Sequence, residues 1–129
     1  AKQDNKEAKG LETIEFQIDI LYNAPIEEQA ADLWEMVEKG KEVEEMIIEL
    51  TKCYQKQDLA GLWEIMLEDS EPEELEKLVY GRNRNWVAQM KTIMPQTPTM
   101  FVVGAGHLPG EQGLIKLLEQ EGYKLEPVW

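Results

Sequence analysis

The chain has 129 residues, of which 26 are acidic and 13 are basic, so its formal net charge is −13. With 43% hydrophobic and 30% charged residues, the composition is typical of one folded domain rather than of a disordered chain. A surface this negative repels phosphate groups, which disfavours nucleic acids and anionic membranes as partners. No apolar run approaches the ~20 residues that cross a bilayer, so no membrane-spanning helix is predicted. The single Cys53 excludes an internal disulfide and a cysteine-based zinc cluster.

In chain order, residues 6–12 are predicted as a strand and residues 13–94 as a helical region. The start of this region is ambiguous. Apolar residues alternate with polar ones from Ile14 onwards, which favours a strand, yet Ile14, Ile18 and Leu21 also have helical spacing. Periodicity alone leaves both alternatives open.

The remaining helices of this region have clearer boundaries. Pro25 suits the first turn of one helix, and Asp58 can cap another. Gly40 marks a break, and Gly81 is predicted to end a short helix.

Residues 99–129 are predicted as a strand–helix–strand unit. The run from Thr99 to Val103 is apolar and β-branched, as in a strand that is buried on both faces. A helix over residues 111–121 follows and is predicted to end at Gly122. The predicted fold is therefore α/β and helix-rich, with a small sheet of about three strands and a helical insert. Residues 1–129 would form a single domain or half of a larger one.

The loop after Val103 is the main candidate for a functional site because it contains the only histidine, His107. Histidine can bind a metal or transfer a proton, and Gly104 and Gly106 allow a close approach of the backbone. The alternative is a loop histidine that is satisfied by backbone groups. One histidine cannot form a metal site alone, and Pro109 stands where a dinucleotide-binding loop needs its third glycine.

Two further segments contain candidates. Glu12 lies between the predicted strand and the next helix, where it could act as an acid or simply begin the helix together with Thr13. Arg82 and Arg84 stand out in an acidic chain. Either could form an intramolecular ion pair, or it could orient a carboxylate or stabilise an oxyanion.

Together these segments resemble the TraB/GumN family. The similarity covers Gly10-Leu11-Glu12-Thr13 with Gln17, Arg82-Asn83 with Trp86, and the run from Val103 to Leu114. Members of that family have two G-x-x-H motifs, whereas this sequence has only the second, from Gly104 to His107. The chain therefore resembles the C-terminal half of the family domain, which is similar to erythromycin esterases and ChaN proteins. The resemblance also favours a helix after Glu12.

The resemblance implies roles for individual residues. Relatives include the Tiki proteins, which are metal-dependent proteases that act on Wnt ligands. By analogy, Glu12, Arg82 and His107 would be catalytic, and His107 and Glu12 would bind a divalent metal ion. The binding residues would be Gly104, Gly106 and Asn83, with Asn83 supporting the histidine.

The resemblance favours a metal-dependent, peptidase-like hydrolase that is inactive as this fragment. The first alternative is a non-catalytic module that binds a peptide, haem or a small molecule. The second is a structural helical insert in which Glu12 and His107 lie far apart. A homodimer, or the missing N-terminal half of the domain, is the expected partner. The family alone suggests the cell envelope or periplasm as the location.

Overall fold

The computed structural model describes residues 6–128, and all regular secondary structure within that range is helical. A π-helical turn at Glu76–Tyr80 precedes the sixth α-helix, and a 3₁₀ turn at Ala105–His107 precedes the seventh. The α-helices are α1 (Ile14–Tyr22), α2 (Ile26–Glu38), α3 (Gly40–Gln55), α4 (Leu59–Asp69), α5 (Pro72–Leu75), α6 (Gly81–Ile93) and α7 (Leu114–Gln120).

The predicted α/β fold is wrong, because residues 6–128 contain no strand and no sheet. The predicted strands at 6–12, 99–103 and 123–128 are joined by no backbone hydrogen bond in the described part of the chain. A strand exists only where a neighbouring strand takes up its N–H and C=O groups. The apolar residues Phe101 and Val103 pack instead against the helical core. Trp129, at the end of the third predicted strand, lies outside the described residues.

The local helix signals are mostly confirmed. The ambiguous segment after Glu12 is helix α1, and Gly40 stands where α2 gives way to α3. Asp58 caps α4 by accepting a hydrogen bond of 2.9 Å from the Gly61 N–H. Gly122 adopts φ +87°, the left-handed conformation expected after the end of α7.

Gly81 does not end a helix as predicted. Helical structure runs on from α5 through the π turn into α6. The N–H of Gly81 donates to the Glu76 carbonyl, five residues earlier, which is the bond that defines a π turn. A Cβ atom at Gly81 would lie 3.1 Å from that carbonyl oxygen, so glycine suits the tight turn. The inserted turn lies directly before the site residues of α6.

The core is small and is centred on α6 and α7. Trp86, Val87, Met90 and Leu114 form the buried cluster. Seven half-buried apolar residues pack against it: Leu11, Met94, Phe101, Val103, Leu108, Leu117 and Leu118. The core thus joins α6 and α7 with two loops: the N-terminal loop (residues 6–13) and the histidine loop (residues 104–113).

Helices α1, α2 and α3 contain no buried residue. Only α4 among the first four helices contributes one, Leu62, which is 7% exposed. Among residues 6–128, no helix has the length and apolar character needed to span a membrane.

Candidate functional site

Asn83 on α6 holds the histidine loop in place. Its side chain is completely buried and donates from Nδ2 to the backbone oxygens of His107 (3.1 Å) and Gln112 (2.8 Å). Its Oδ1 lies 2.8 Å from His107 Nδ1. One side chain therefore fixes both ends of the turn that presents the imidazole.

These contacts determine the tautomer of His107. Two carbonyl oxygens can only accept hydrogen bonds, so the NH₂ group of Asn83 must face them and Oδ1 must face the ring. Oδ1 is itself only an acceptor, so Nδ1 of His107 carries the proton. In the neutral ring Nε2 then has a free lone pair, which is the form needed in a metal ligand or a proton acceptor.

Trp86, one helical turn after Arg82 and Asn83, forms the floor of the site. Its ring lies 4.5 Å from the His107 ring, centroid to centroid, at an interplanar angle of 46°. The Arg82 guanidinium carbon lies 5.0 Å from the Trp86 ring centroid, within cation–π range. The indole therefore contacts both Arg82 and His107 and limits where each side chain can move.

Glu12 is paired with Arg82 across 70 positions of sequence. The guanidinium donates from Nη2 (2.8 Å) and Nε (2.9 Å) to the two carboxylate oxygens, a bidentate arrangement. The side chains are 2% exposed for Glu12 and 18% exposed for Arg82. Arg82 also donates from Nη1 to the Leu78 carbonyl at 3.1 Å. All three guanidinium nitrogens thus have partners, and the pair attaches the N-terminal loop to α6.

The electrostatics follow from this arrangement. Burial of the ring, and then the positive charge of Arg82, lower the pKa of His107 from 6.5 to about 4, although Glu12 opposes the shift. For Glu12 burial raises the pKa, but the hydrogen bonds and charge of Arg82 outweigh it and keep the pKa below its usual 4.5. At neutral pH the imidazole is therefore neutral and the carboxylate is ionised.

The Trp86 indole N–H is buried and makes no hydrogen bond of normal geometry with the described residues. It lies near enough to the Glu12 carboxylate to contribute to the lowered pKa of that group.

The structure links Glu12, Arg82, Asn83 and His107 into one connected set, because Trp86 contacts both Arg82 and His107. The glycines have different surroundings. A Cβ atom at Gly104 would make only an ordinary contact with His107, whereas one at Gly106 would lie 2.7 Å from Met66 Sδ on α4. Close packing against α4 accounts for Gly106. Ligand binding by either glycine stays a prediction.

Sequence reasoning missed three supporting residues. Trp86 was part of the family motif but was not selected as a site residue, although its spacing from Arg82 places both on one helix face. The backbone oxygen of Gln112 accepts a hydrogen bond from the Asn83 side chain, and its side-chain oxygen accepts one from Arg84 at 2.7 Å. Gln89 donates to the Leu11 carbonyl at 2.9 Å and so fixes the loop before Glu12. Nothing local in the sequence marks these long-range contacts.

The described residues do not by themselves fit a bound metal ion. They contain no group of three or more His, Cys, Asp or Glu side chains that could hold one. His107 Nε2 is one available ligand atom. The Glu12 carboxylate, however, is paired with Arg82, whose positive charge disfavours a cation nearby. A metal at His107 would need ligands from outside this set.

An apolar cleft of about 380 Å³ lies beside the histidine loop. Its walls come from α4, chiefly Leu59 and Trp63, and from Leu108 and Pro109, which directly follow His107. Ile115 at the start of α7 closes one side. The cleft is suited to an apolar side chain of a ligand.

A model of the TraB/PrgY/gumN family matches residues 1–127. The chain belongs to the TraB/PrgY/gumN family. This confirms the resemblance seen in the motifs of Glu12, Arg82 and His107. No curated protein and no solved structure matched the chain. Membership of the TraB/PrgY/gumN family does not in itself assign a reaction.

Proposed function

We propose that this chain carries the C-terminal half of a peptide-hydrolysing site, with His107 Nε2 as its reactive atom. The observation that supports this most is the hydrogen bond from His107 Nδ1 to Asn83 Oδ1, which leaves Nε2 with a lone pair. Family membership and the Glu12–Arg82 pair beside the imidazole add to it. The other groups of the site would come from outside the described residues.

In this proposal His107 orients the attacking water molecule by accepting a hydrogen bond at Nε2. An imidazole with a pKa of about 4 is neutral at pH 7 but is a weak base, so it does not remove the proton efficiently alone. That step needs a second group, which agrees with the prediction that the fragment alone is inactive. The positive charge of Arg82 disfavours the imidazolium form of His107, and the negative charge of Glu12 offsets part of this effect.

The apolar cleft would take a side chain of the substrate next to the bond that is cleaved. Its lining residues Leu108 and Pro109 follow His107 without a gap, so a peptide seated there would pass close to the imidazole. Trp63 is the largest apolar side chain of the lining. Peptides with an apolar residue at that position are therefore the expected substrates.

A non-catalytic binding module is the second candidate. It is favoured by the lack of a three-donor group in the described residues, together with a cleft of ligand size. In that case the same cleft would hold a peptide or a small molecule without cleavage.

Two substitutions separate the contribution of Nε2 of His107 from that of the Nδ1 hydrogen bond to Asn83. His107→Asn keeps a donor near the position of Nδ1, and so the bond to Asn83, but removes Nε2. His107→Gln keeps a polar group near the position of Nε2 but loses that bond. They should be made in the native polypeptide that contains this sequence, and cleavage of quenched fluorescent peptides should be followed with and without Zn²⁺, Mn²⁺ or EDTA.

The proposal expects His107→Asn to lower kcat/KM at least about 100-fold while the thermal transition stays close to that of the wild type. Unchanged cleavage by His107→Asn would refute it. If the wild type cleaves nothing but binds a labelled apolar peptide, and Trp63→Ala abolishes that binding, the module function replaces it.

A further inference from the structure

Helix α2 is amphipathic, but its apolar side is left uncovered by residues 6–128. Every residue of α2 is exposed. Ile26, Leu33, Trp34 and Val37 are 75%, 63%, 64% and 65% exposed, respectively. With Ala30, these four residues recur at the three- and four-residue spacing of one helix face, which we name the α2 stripe. A 13-residue helix is marginal in water without tertiary packing, so the stripe needs a cover.

Acidic residues border the α2 stripe on its Trp34 side. At about 100° per residue, Glu27 and Glu38 lie beside Trp34, whereas the uncharged Gln29 and Met36 lie along the other side. Neither acid forms an ion pair with any residue between 6 and 128. Their charges are therefore available to a partner.

Most of the negative charge of the chain lies in the segment from α1 to α4, which includes α2. Residues 14–69 contain 15 acidic and four basic residues, whereas the rest of the chain contains 11 acidic and nine basic residues. A second copy would bring another strongly acidic surface against the first, so self-association through the stripe is disfavoured. An anionic membrane is disfavoured for the same reason. A positively charged partner complements the rim.

We propose that the α2 stripe is a docking surface for a basic amphipathic helix of another polypeptide. The apolar face of that helix covers Leu33, Trp34 and Val37, and its lysines or arginines meet the acidic rim. Two helices packed in this way approach to about 8–10 Å, with the charged residues at the border of the contact. This site is separate from His107 and does not depend on the function proposed for it.

The test uses two designed peptides of about 14 residues with leucines at helical spacing. One has lysine and the other has glutamate at all remaining positions. Each is labelled, and binding to the chain is followed by fluorescence anisotropy. The lysine peptide should bind saturably with one peptide per chain, and binding should weaken as salt is raised.

Variants distinguish the stripe from general charge attraction. Leu33→Ala with Val37→Ala keeps good helix formers in α2 and should weaken binding at least about tenfold. Neutralising Glu27 and Glu38 to glutamine should weaken it about fivefold. The matched control neutralises two exposed acids outside α2, Glu64 and Glu68, and should change binding less than about twofold.

Several results would overturn the proposal. These are equal binding of the glutamate peptide, equal loss in the control variant, or no saturable binding. Sedimentation that showed a dimer which the Leu33→Ala, Val37→Ala variant abolishes would assign the stripe to a second copy instead. Since α2 contributes nothing to the buried core, circular dichroism should show that all variants stay folded.

Discussion

Replacing Asn83 by alanine tests the central contact of the site. The side chain is fully buried, and its loss leaves the His107 and Gln112 carbonyls and the His107 Nδ1–H without their partner. A buried polar group without a partner costs about 1–3 kcal/mol. The loop can open and admit water to part of this set, so we expect a loss of about 3 kcal/mol in the free energy of unfolding. This is a large share of the ~5–15 kcal/mol that stabilises an ordinary domain.

The loss can be measured by urea unfolding, followed by tryptophan fluorescence and circular dichroism. Asn85→Ala is the matched control. Asn85 lies on the same helix but is exposed, and its substitution should change stability by less than about 0.5 kcal/mol. Equal effects of the two substitutions would contradict the role assigned to Asn83.

A second measurement reports the tautomer directly. His107 is the only histidine, so its ring nitrogens give a single pair of signals in a long-range ¹H–¹⁵N spectrum. In the wild type Nδ1 should be the protonated nitrogen at pH 7. Asn83→Ala should release this preference and shift the pKa of His107 upward from about 4, because the ring becomes more hydrated. A ring that stays protonated at Nδ1 with an unchanged pKa would refute the reasoning.

Two further predictions concern pH and the turns. The unfolding free energy should fall as the pH drops from about 6.5 toward 4, because the unfolded chain binds a proton at His107 that the folded chain excludes, and it should fall further below 4.5 as Glu12 is protonated. His107→Asn should flatten the first part of this profile, and a slope unchanged by that substitution would assign the effect to another group. Gly110 and Gly122 both have positive φ (+85° and +87°), but a Cβ atom at Gly110 would lie 2.6 Å from the Trp63 ring, whereas one at Gly122 would meet nothing within 4 Å. Gly110→Ala should therefore destabilise by over about 2 kcal/mol and Gly122→Ala by about 1 kcal/mol, and thermal unfolding that reversed this order would contradict the packing described for Trp63.

The helices could be predicted because their signals are local. The cap at Asp58 and the glycine at 122 act within a few residues of themselves, so the sequence specifies them directly. The sheet could not be predicted in this way, because a strand depends on a partner elsewhere. The run at residues 99–103 was predicted to be buried on both faces, but only Phe101 and Val103 pack, and they pack on helices, whereas Met100 and Val102 are 86% and 79% exposed. The π turn at Glu76–Tyr80 had no sequence signal, since it replaces the helix end that Gly81 suggested.

The sequence motifs predicted which residues lie together better than they predicted the fold that holds them. Glu12 and Arg82 are 70 residues apart, and only the family motifs, not periodicity, placed them together. Only the structure shows that Asn83 donates hydrogen bonds to the carbonyls of both His107 and Gln112. Only the structure shows that Trp86 contacts both His107 and Arg82. A motif indicates which residues act together, whereas hydrogen-bond partners decide what each of them can do.

Helix α6 explains why so small a core can define a site. Arg82 and Asn83 are consecutive, so their side chains point in different directions. Trp86 is four residues after Arg82 and three after Asn83, so its side chain lies one turn further along the helix, beside both. Arg82 fixes the N-terminal loop through Glu12, Asn83 fixes the histidine loop, and Trp86 fills the space between the two. Helix α2 contributes no buried residue to this arrangement. The α2 stripe and the surroundings of His107 are therefore structurally separate, and substitutions in one should leave the spectra and affinities of the other unchanged.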